Sequence, residues 1–237
     1  MRSFSAWILI LVMLVGLTNG QTKYCCSINQ WEGLQSRITG TAPHGVGSLI
    51  KEDSYVYYDS TNRRVAAFLN TTSPTENTEN FFLEVYTGSV GRIYILDLLT
   101  RKCTLQVSSL PFSGACVPDN ATKLSDIFFG TSVNPLNAVA YHLLQEVAGS
   151  KLEVVLTVTA DGSCVPVTQL VTGAIEGEPV MQVTGYTNIR PGISRPSVFN
   201  VPPECQGVSE VETKTQRFRR SATGAGLPSV MNNLFRP

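Results

Sequence analysis

The chain has 237 residues, and its 18 basic side chains balance 18 acidic ones, so the formal net charge is zero. Domains that bind nucleic acid normally carry a basic field, and this balance therefore argues against nucleic acid as a partner. A chain of this length suits one large all-β domain that buries most of the surface its unfolded chain would expose.

The first twenty residues have the pattern of a secretory signal peptide. Arg2 supplies the basic start, residues 6–17 are an uncharged apolar run, and residues 18–20 suit cleavage. An uncleaved membrane anchor is the alternative, but a spanning helix needs about 20 apolar residues. We therefore expect residues 1–20 to be removed, leaving a secreted, extracellular protein with no transmembrane segment in its mature form.

Six cysteines follow the signal, and in an oxidising compartment their spacing favours a disulfide framework. No C-x-x-C pair occurs, and the two histidines, His44 and His142, lie far from any cysteine pair with zinc-like spacing. A bond between chain neighbours would be strained, so each of the first two cysteines should reach a different distant partner. The six are Cys25, Cys26, Cys103, Cys116, Cys164 and Cys205.

Two acceptor triplets for N-linked sugar fit the same secretory route. Asn70 and Asn120 each begin an N-x-[ST] triplet, and both lie among turn-forming residues where a bulky sugar has room. We predict glycosylation at both positions.

Most of the chain reads as short β-strands separated by turns. Residues 59–62 form a polar turn between runs of β-forming residues, and residues 160–163 contain an Asp-Gly pair, the strongest hairpin signal in the chain. Residues 136–147 have some helical periodicity but also alternate, and we assign a strand. The other predicted strands are residues 54–58, 64–70, 81–86, 92–98, 103–107, 152–159, 164–172 and 179–189. This pattern predicts an antiparallel sandwich or barrel-like sheet.

Several predicted strands are apolar on both faces. In one of them Ile93 and Ile95 point one way, while Tyr94, Leu96 and Leu98 point the other. A sheet with one wet face would not have this pattern. Two explanations remain open: a loop or subunit covers the second face, or that face lines an apolar ligand cavity.

Catalytic motifs are missing from the sequence. It has no G-x-S-x-G elbow, no H-E-x-x-H helix and no phosphate-binding glycine loop. Two histidines leave little room for acid–base chemistry, and the cysteines are expected to form disulfides. We therefore do not expect an enzyme.

Four short segments carry a family resemblance through their order and spacing. They are CCSINQWEG (residues 25–33), YYDSTNRRV (residues 57–65), GSCVPV (residues 162–167), and PSVF leading to PPEC (residues 196–205). Over about residues 25–210 the chain resembles the ependymin family.

The resemblance implies a secreted glycoprotein whose curved antiparallel sheets form a half-barrel or sandwich with a deep hydrophobic pocket, similar to bacterial lipoprotein carriers. It also implies a homodimer and associations with lipid-like ligands, calcium, cell–matrix contact and, in mammals, lysosomes. By family position Cys103 should pair with Cys205, and Cys164 with Cys25 or Cys26. Parity then assigns Cys116 to the remaining member of that doublet.

Two functions from different classes follow from these features. The first is a carrier of a hydrophobic, lipid-like ligand, and the second is a calcium-associated extracellular glycoprotein for cell–matrix adhesion or signalling. The acidic residues never form a dense D-x-D-x-D-G run, so calcium is a candidate cofactor whose ligands the sequence does not name. Alternation suggests large apolar strand residues as the pocket lining: Phe82, Tyr86, Tyr94, Leu96 and Val158.

The composition changes after residue 208, so we divide the chain into the signal, an ependymin-like domain at residues 21–208 and a disordered tail at residues 209–237. Arg217, Arg219 and Arg220 fit the R-x-R-R pattern of furin-like proteases. Two outcomes stay open: an intact tail with solvated arginines, or cleavage after Arg220.

Overall fold

The structure is a computed structural model that describes residues 25–42, 45–108, 111–112, 114–147, 150–175 and 177–209. Within these ranges eleven antiparallel strands form one curved sheet. The strands are β1 (Gln30–Thr41), β2 (Ser48–Asp59), β3 (Arg64–Thr72), β4 (Asn77–Thr87), β5 (Val90–Asp97), β6 (Cys103–Ser108), β7 (Thr122–Thr131), β8 (Asn134–Val147), β9 (Ser150–Thr159), β10 (Pro166–Ile175) and β11 (Glu178–Pro191). Two 3-10 turns follow, at Pro196–Phe199 and Pro203–Cys205.

The sheet consists of two meanders joined at its centre. Strands β1 to β6 pair in sequence order, as do β7 to β11, and the first strand of one meander pairs with the last strand of the other. In this central pair Ile38 lies opposite Val183. The outermost strands of the sheet are therefore β6 and β7, which are neighbours in sequence but not in the sheet.

The predicted all-β architecture is confirmed, and the segment assigned as a strand at residues 136–147 lies within β8. Strands β1 and β7 were not predicted. In β1 the usual alternation is inverted, because Gln35 and Arg37 are buried while Leu34 and Ile38 are exposed. Strand β7 is largely exposed along its length, so it has no apolar face for a pattern to reveal.

Directly opposed residues of an antiparallel pair share a face, so the register divides the side chains between two faces. We call the face that carries Trp31 and Val154 the inner face, and the face that carries Tyr57 and Leu83 the outer face. Two of the three apolar clusters lie on the inner face. The third lies on the outer face beneath the C-terminal segment of residues 193–205.

Local turn chemistry fixes two of the hairpins. Asp59 ends β2 and accepts hydrogen bonds from the backbone and side chain of Asn62, which closes the turn to β3. Asp161 accepts from the backbone N–H of Ser163 at 3.0 Å in the turn between β9 and β10, where Gly162 has a φ of 83°. A residue without a Cβ is favoured at such a positive φ.

Candidate functional site

A compact group of polar side chains occupies the centre of the inner face. The central register places Arg37 opposite Thr184, and Thr184 opposite Gln169 on the next strand. One row further along, Thr39 lies opposite Gln182. We call this group the polar strip, and each member is between 0 and 4% exposed. It consists of Gln35, Arg37 and Thr39 on β1, Gln182 and Thr184 on β11, and Gln169 on β10.

The charge in the polar strip is paired. The Nη1 atom of Arg37 lies 3.2 Å from Oε1 of Glu52, which faces it on β2, and both side chains are buried. A buried ion pair of this kind is retained only if its geometry offsets the desolvation of both charges. Arg37 and Glu52 thus contribute polarity to the inner face without net charge.

Several polar atoms of the strip have no hydrogen-bond partner among the described residues. They are both amide atoms of Gln35, the Nε atom of Arg37, the Nε2 atoms of Gln169 and Gln182, and the Oγ1 atom of Thr184. The amide oxygen of Gln182 does accept from Thr39, at 3.5 Å. Buried polar groups are normally paired, so a concentration of unpaired atoms in one place needs an explanation.

Apolar clusters flank the polar strip on both sides. The β8–β10 cluster includes Leu143, Val154, Leu156 and Val171, and Val180 of β11 packs against it. The β1–β5 cluster lies on the other side and contains Trp31, Val56, Tyr58, Val65, Ala67, Phe82 and Ile93. The inner face is therefore apolar over β8 to β10 and next to the floor, and polar at its centre, where the buried Glu52, Ser54 and Thr71 extend the polarity onto β2 and β3.

One end of the inner face is closed by two segments, which we call the floor: residues 25–28, and residues 111–121 as far as they are described. The backbone N–H of Ser27 donates to the carbonyl of Ala115 at 2.7 Å, and Cys26 is bonded to Cys116. The ring of Phe112 stacks on Tyr58 with centroids 5.9 Å apart. Both flanking clusters include residues of these segments, so the floor spans the inner face.

A cleft of about 520 Å³ lies at the opposite end of the central strands. It is lined by residues at the end of β1 and the starts of β2 and β11: Thr41, Ser48 and Val180 on the inner face, and Gly40, Leu49 and Met181 on the outer face. Thr41 lies opposite Val180, and the next pair along the same face is Thr39 with Gln182. The cleft therefore lies one row of side chains from the polar strip. We call it the mouth.

The outer face is covered over β2 to β6 by the C-terminal segment. Val198 and Phe199 pack with Tyr57, Leu83 and Leu96 there. The C-terminal segment is held by its backbone as well, since the N–H of Ser194 donates to Glu32 at 2.8 Å. Burial pushes the pKa of Glu32 upward, but the hydrogen bonds from Ser194 and Tyr55 outweigh it and leave that pKa lowered.

Another region of the outer face, at the centre of the sheet, exposes apolar side chains. Ile38 and Val183 are each 45% exposed, and neighbouring strand positions add Leu34, Leu49 and Met181. We call these five residues the outer patch. A contiguous group of exposed apolar side chains commonly marks a contact with another molecule.

The suggested pocket residues fall on both faces of the sheet. Phe82, Tyr86 and Val158 lie on the inner face by register. Tyr94 and Leu96 lie on the outer face, packed with the cluster under the C-terminal segment. Alternation separated Ile93 and Ile95 from Tyr94 and Leu96, but it could not tell which set faces inward.

The structure bonds Cys25 to Cys164, Cys26 to Cys116 and Cys103 to Cys205, the partners that the resemblance and parity implied. Asn70 and Asn120 are both exposed. His142 is half-buried on β8. The signal peptide, His44 and the arginines Arg217, Arg219 and Arg220 lie outside the described residues.

Among the described residues no three acidic, histidine or cysteine side chains are grouped so that they could hold a metal ion. The acidic side chains near turns make local contacts instead. Asp53 pairs with Lys51, Asp126 pairs with Lys123, and Asp97 accepts from the backbone of Thr100.

No helix in the described part of the chain is long and apolar enough to cross a lipid bilayer.

The fold and the site define a disulfide-bonded, all-β protein in which one curved sheet encloses a largely apolar inner face. The ependymin family model matches residues 75–205, which is more than half of the 237 residues. The chain belongs to the ependymin family.

Two relatives from the abalone Haliotis asinina match nearly their whole length. Ependymin-related protein 1 is 28% identical over 206 residues, covering 82% of this chain and 96% of the relative. Ependymin-related protein 2 is 23% identical over 210 residues, covering 84% and 99%. Among solved structures, an uncharacterized conserved protein from Thermus thermophilus is 11% identical, covers 85% of this chain and 99% of its own, and has a TM-score of 0.43.

Proposed function

We propose that the chain is a secreted binding protein, not an enzyme, that holds a hydrophobic, lipid-like ligand along the inner face of its sheet. The observation that carries this proposal is the arrangement of the inner face. Its apolar clusters extend from the closed floor, and the β8–β10 cluster reaches the mouth through Val180.

The energetics of transfer support an apolar ligand. Each methylene that leaves water for an apolar surface contributes about 0.8 kcal/mol. Leu152, Val154 and Leu156 are at most 1% exposed, so they offer a dry surface. These side chains are already shielded from water in the structure without a ligand. A ligand would therefore enter at the mouth and push side chains of the inner face apart.

Organic extraction of the protein purified from animal-cell medium, followed by mass spectrometry, tests the proposal. A stoichiometric lipid in the extract is the expected result. A clean extract, together with calcium-dependent binding to collagen or cells, would instead favour the adhesion alternative.

A matched pair of variants locates the ligand. Val180 is half-buried on the inner face at the mouth, whereas Val183 is exposed on the outer face of the same strand. Val180→Trp should reduce the bound lipid by narrowing the mouth, and Val183→Trp should leave it unchanged. Equal lipid content in both variants would contradict a ligand that enters at the mouth.

The secretory route belongs to the same proposal. Three disulfides suit an oxidising compartment, and the exposed Asn70 and Asn120 could carry sugar without disturbing the sheet. Peptide-N-glycosidase treatment should reduce the apparent mass, and Asn70→Gln with Asn120→Gln should remove that shift.

A homodimer completes the proposal, and the outer patch supports it as the contact surface. Oppositely charged residues lie on both sides of the patch: Lys51 and Asp53 on β2 border it, and Lys151 and Glu153 lie on β9, beyond the intervening strand β10. Because both signs of charge occur on both sides, a second copy of the chain could pack there without bringing two surfaces of like charge together.

A further inference from the structure

We propose that the polar strip is a recognition site for an uncharged, oxygen-rich head group, such as the ester and hydroxyl groups of a monoacylglycerol. The inference rests on the proposed function, because it assumes a ligand on the inner face. It adds that this ligand is amphipathic and that its polar group lies at the centre of the face, not at the mouth.

The position of the polar strip is what distinguishes it from ordinary buried polarity. It spans three neighbouring strands near the middle of the sheet, β1, β11 and β10, with the β8–β10 cluster beside it and the β1–β5 cluster towards the floor. A simple hydrocarbon bound across this face would leave the amides of Gln35, Gln169 and Gln182 without partners. A ligand with oxygen atoms near the same place would provide acceptors for them.

The unpaired atoms are mostly hydrogen-bond donors. Gln169 and Gln182 each present an amide N–H group, and Arg37 presents its Nε–H group. Thr39 donates to the amide oxygen of Gln182, which leaves the nitrogen of that amide available. Carbonyl, ester and hydroxyl oxygens accept from such groups, so the chemistry of the strip selects an acceptor-rich head.

Charge decides between an uncharged head and a carboxylate. The positive charge of Arg37 is already paired with Glu52, which lies opposite it on β2. Among the described residues of the polar strip, a buried fatty-acid carboxylate would meet no uncompensated cation, and burying an unpaired charge is strongly unfavourable. A neutral head avoids that penalty and still accepts the available hydrogen bonds.

Displacement of a bound fluorescent probe tests the inference on the full-length secreted protein. N-phenyl-1-naphthylamine is an uncharged apolar probe that needs only the apolar part of the inner face. Monoolein and oleate carry the same acyl chain and differ in the head group. Monoolein should displace the probe with an affinity about tenfold higher than oleate at pH 7.4, because both head groups accept hydrogen bonds but only the carboxylate brings an unpaired charge into the buried strip.

Gln169→Leu and Gln182→Leu provide the variant test. Each should weaken monoolein binding about tenfold and leave the probe affinity unchanged. Because the amide nitrogen of Gln169 has no partner among the described residues, the melting temperature of ligand-free Gln169→Leu should be unchanged or higher, and a structural role for this amide would lower it. Gln182→Leu also removes the acceptor of Thr39, so only its monoolein and probe affinities are compared. Gln145→Leu is the matched control, since its side chain is buried with an unpaired oxygen but lies on β8, outside the strip.

The outcomes separate the inference from the proposed function. A protein that binds neither the probe nor any lipid would overturn the proposed function. Probe binding with equal affinities for monoolein and oleate, or with Gln169→Leu and Gln182→Leu unchanged, would overturn the inference alone. In that case ordered water within the strip would be the partner of these atoms.

Discussion

The guanidinium carbon of Arg64 lies 4.1 Å from the ring centroid of Phe199, while Nε of the same arginine donates to Asp59 at 2.7 Å. One side chain thus links the β2–β3 turn to the C-terminal segment. Gln30, at the start of β1, donates to Asp59 at 3.0 Å, and Asn62 donates to it from both its backbone and its side chain. Asp59 is fully buried and joins three parts of the chain.

Asp59→Ala should lower the free energy of unfolding by about 3 kcal/mol or more, because it leaves the partners of a buried carboxylate unpaired. Chemical denaturation measures the loss. Asp53→Ala is the matched control, since the ion pair between Asp53 and Lys51 is exposed and should contribute at most about 1 kcal/mol. Equal losses in the two variants would show that burial of Asp59 contributes nothing.

The pH dependence of this interaction follows from the pKa of Asp59. Burial pushes that pKa upward, but the hydrogen bonds from Asn62, Gln30 and Arg64 outweigh it and lower the pKa below 3.8. A carboxyl group with a lowered folded pKa contributes stability above its unfolded pKa and loses it as the pH falls through the folded value. The stability difference between the wild type and Asp59→Ala should therefore shrink below pH 3.8; a difference that grows there would contradict the assignment.

The disulfide of the floor should affect both stability and ligand binding. Cys26 and Cys116 are separated by 90 residues, and Cys103 and Cys205 by 102. Loops of such similar length should contribute similar stability, about 4 to 5 kcal/mol each in the chain-entropy model. Replacing Cys26 and Cys116 by serine should also weaken probe binding, because the two segments of the floor lose the covalent bond that joins them to each other.

Replacing Cys103 and Cys205 by serine serves as the control for the floor. Cys103 and Cys205 lie with the outer-face cluster. Loss of their disulfide should lower the free energy of unfolding by a similar amount. The probe affinity of the folded fraction should stay unchanged. Identical effects of the two double variants on probe affinity would argue against a ligand bounded by the floor.

Association through the outer patch can be tested by a single charge. Ile38→Lys should convert the proposed dimer to a monomer in size-exclusion chromatography with light scattering, because it buries an unpaired ammonium group in the contact. Leu99→Lys, at an exposed position outside the outer patch, should leave the mass unchanged. A monomeric wild type, or an Ile38→Lys variant that stays dimeric, would place the contact elsewhere or exclude it.

Processing of the tail is decided by intact-mass analysis of the secreted protein. Cleavage after Arg220 releases the 17 residues from Ser221 to Pro237, and it requires an accessible basic site. A species ending at Arg220, or at Phe218 after trimming, is the result expected from processing. A species ending at Pro237 from furin-competent cells would show that the tail is retained.

Sequence patterns predicted the fold where the strands have ordinary apolar faces. The turns at Asp59 and Asp161 predicted two hairpins, because their side-chain acceptors close the turns locally. Trp31, Asp59, Cys164 and Phe199 come from the segments that carried the family resemblance, and in the structure they are buried residues of the scaffold. The resemblance therefore predicted the architecture better than it predicted a binding site.

The polar strip was not predicted, and the reason is physical. Its residues alternate with Leu34, Ile38, Met181 and Val183, which suggests polar side chains outward and apolar ones inward, the reverse of the observed arrangement. Only the pairing of β1 with β11 shows that the glutamines face inward. The only sequence signal for the polar strip was that β1 and β11, although far apart in sequence, have the same alternation of buried polar and exposed apolar positions.

The central strand pair also has a consequence for how the protein is made. Ile38 and Val183 are 145 positions apart (183 minus 38), so at about 5 to 20 residues per second β1 is synthesised roughly 7 to 30 seconds before β11. During that interval one edge of β1 has unpaired backbone groups beside its apolar Leu34 and Ile38, and such an edge invites pairing with another chain. Chaperones would need to protect this edge, because the last hydrogen bonds of the sheet to form are those at its centre.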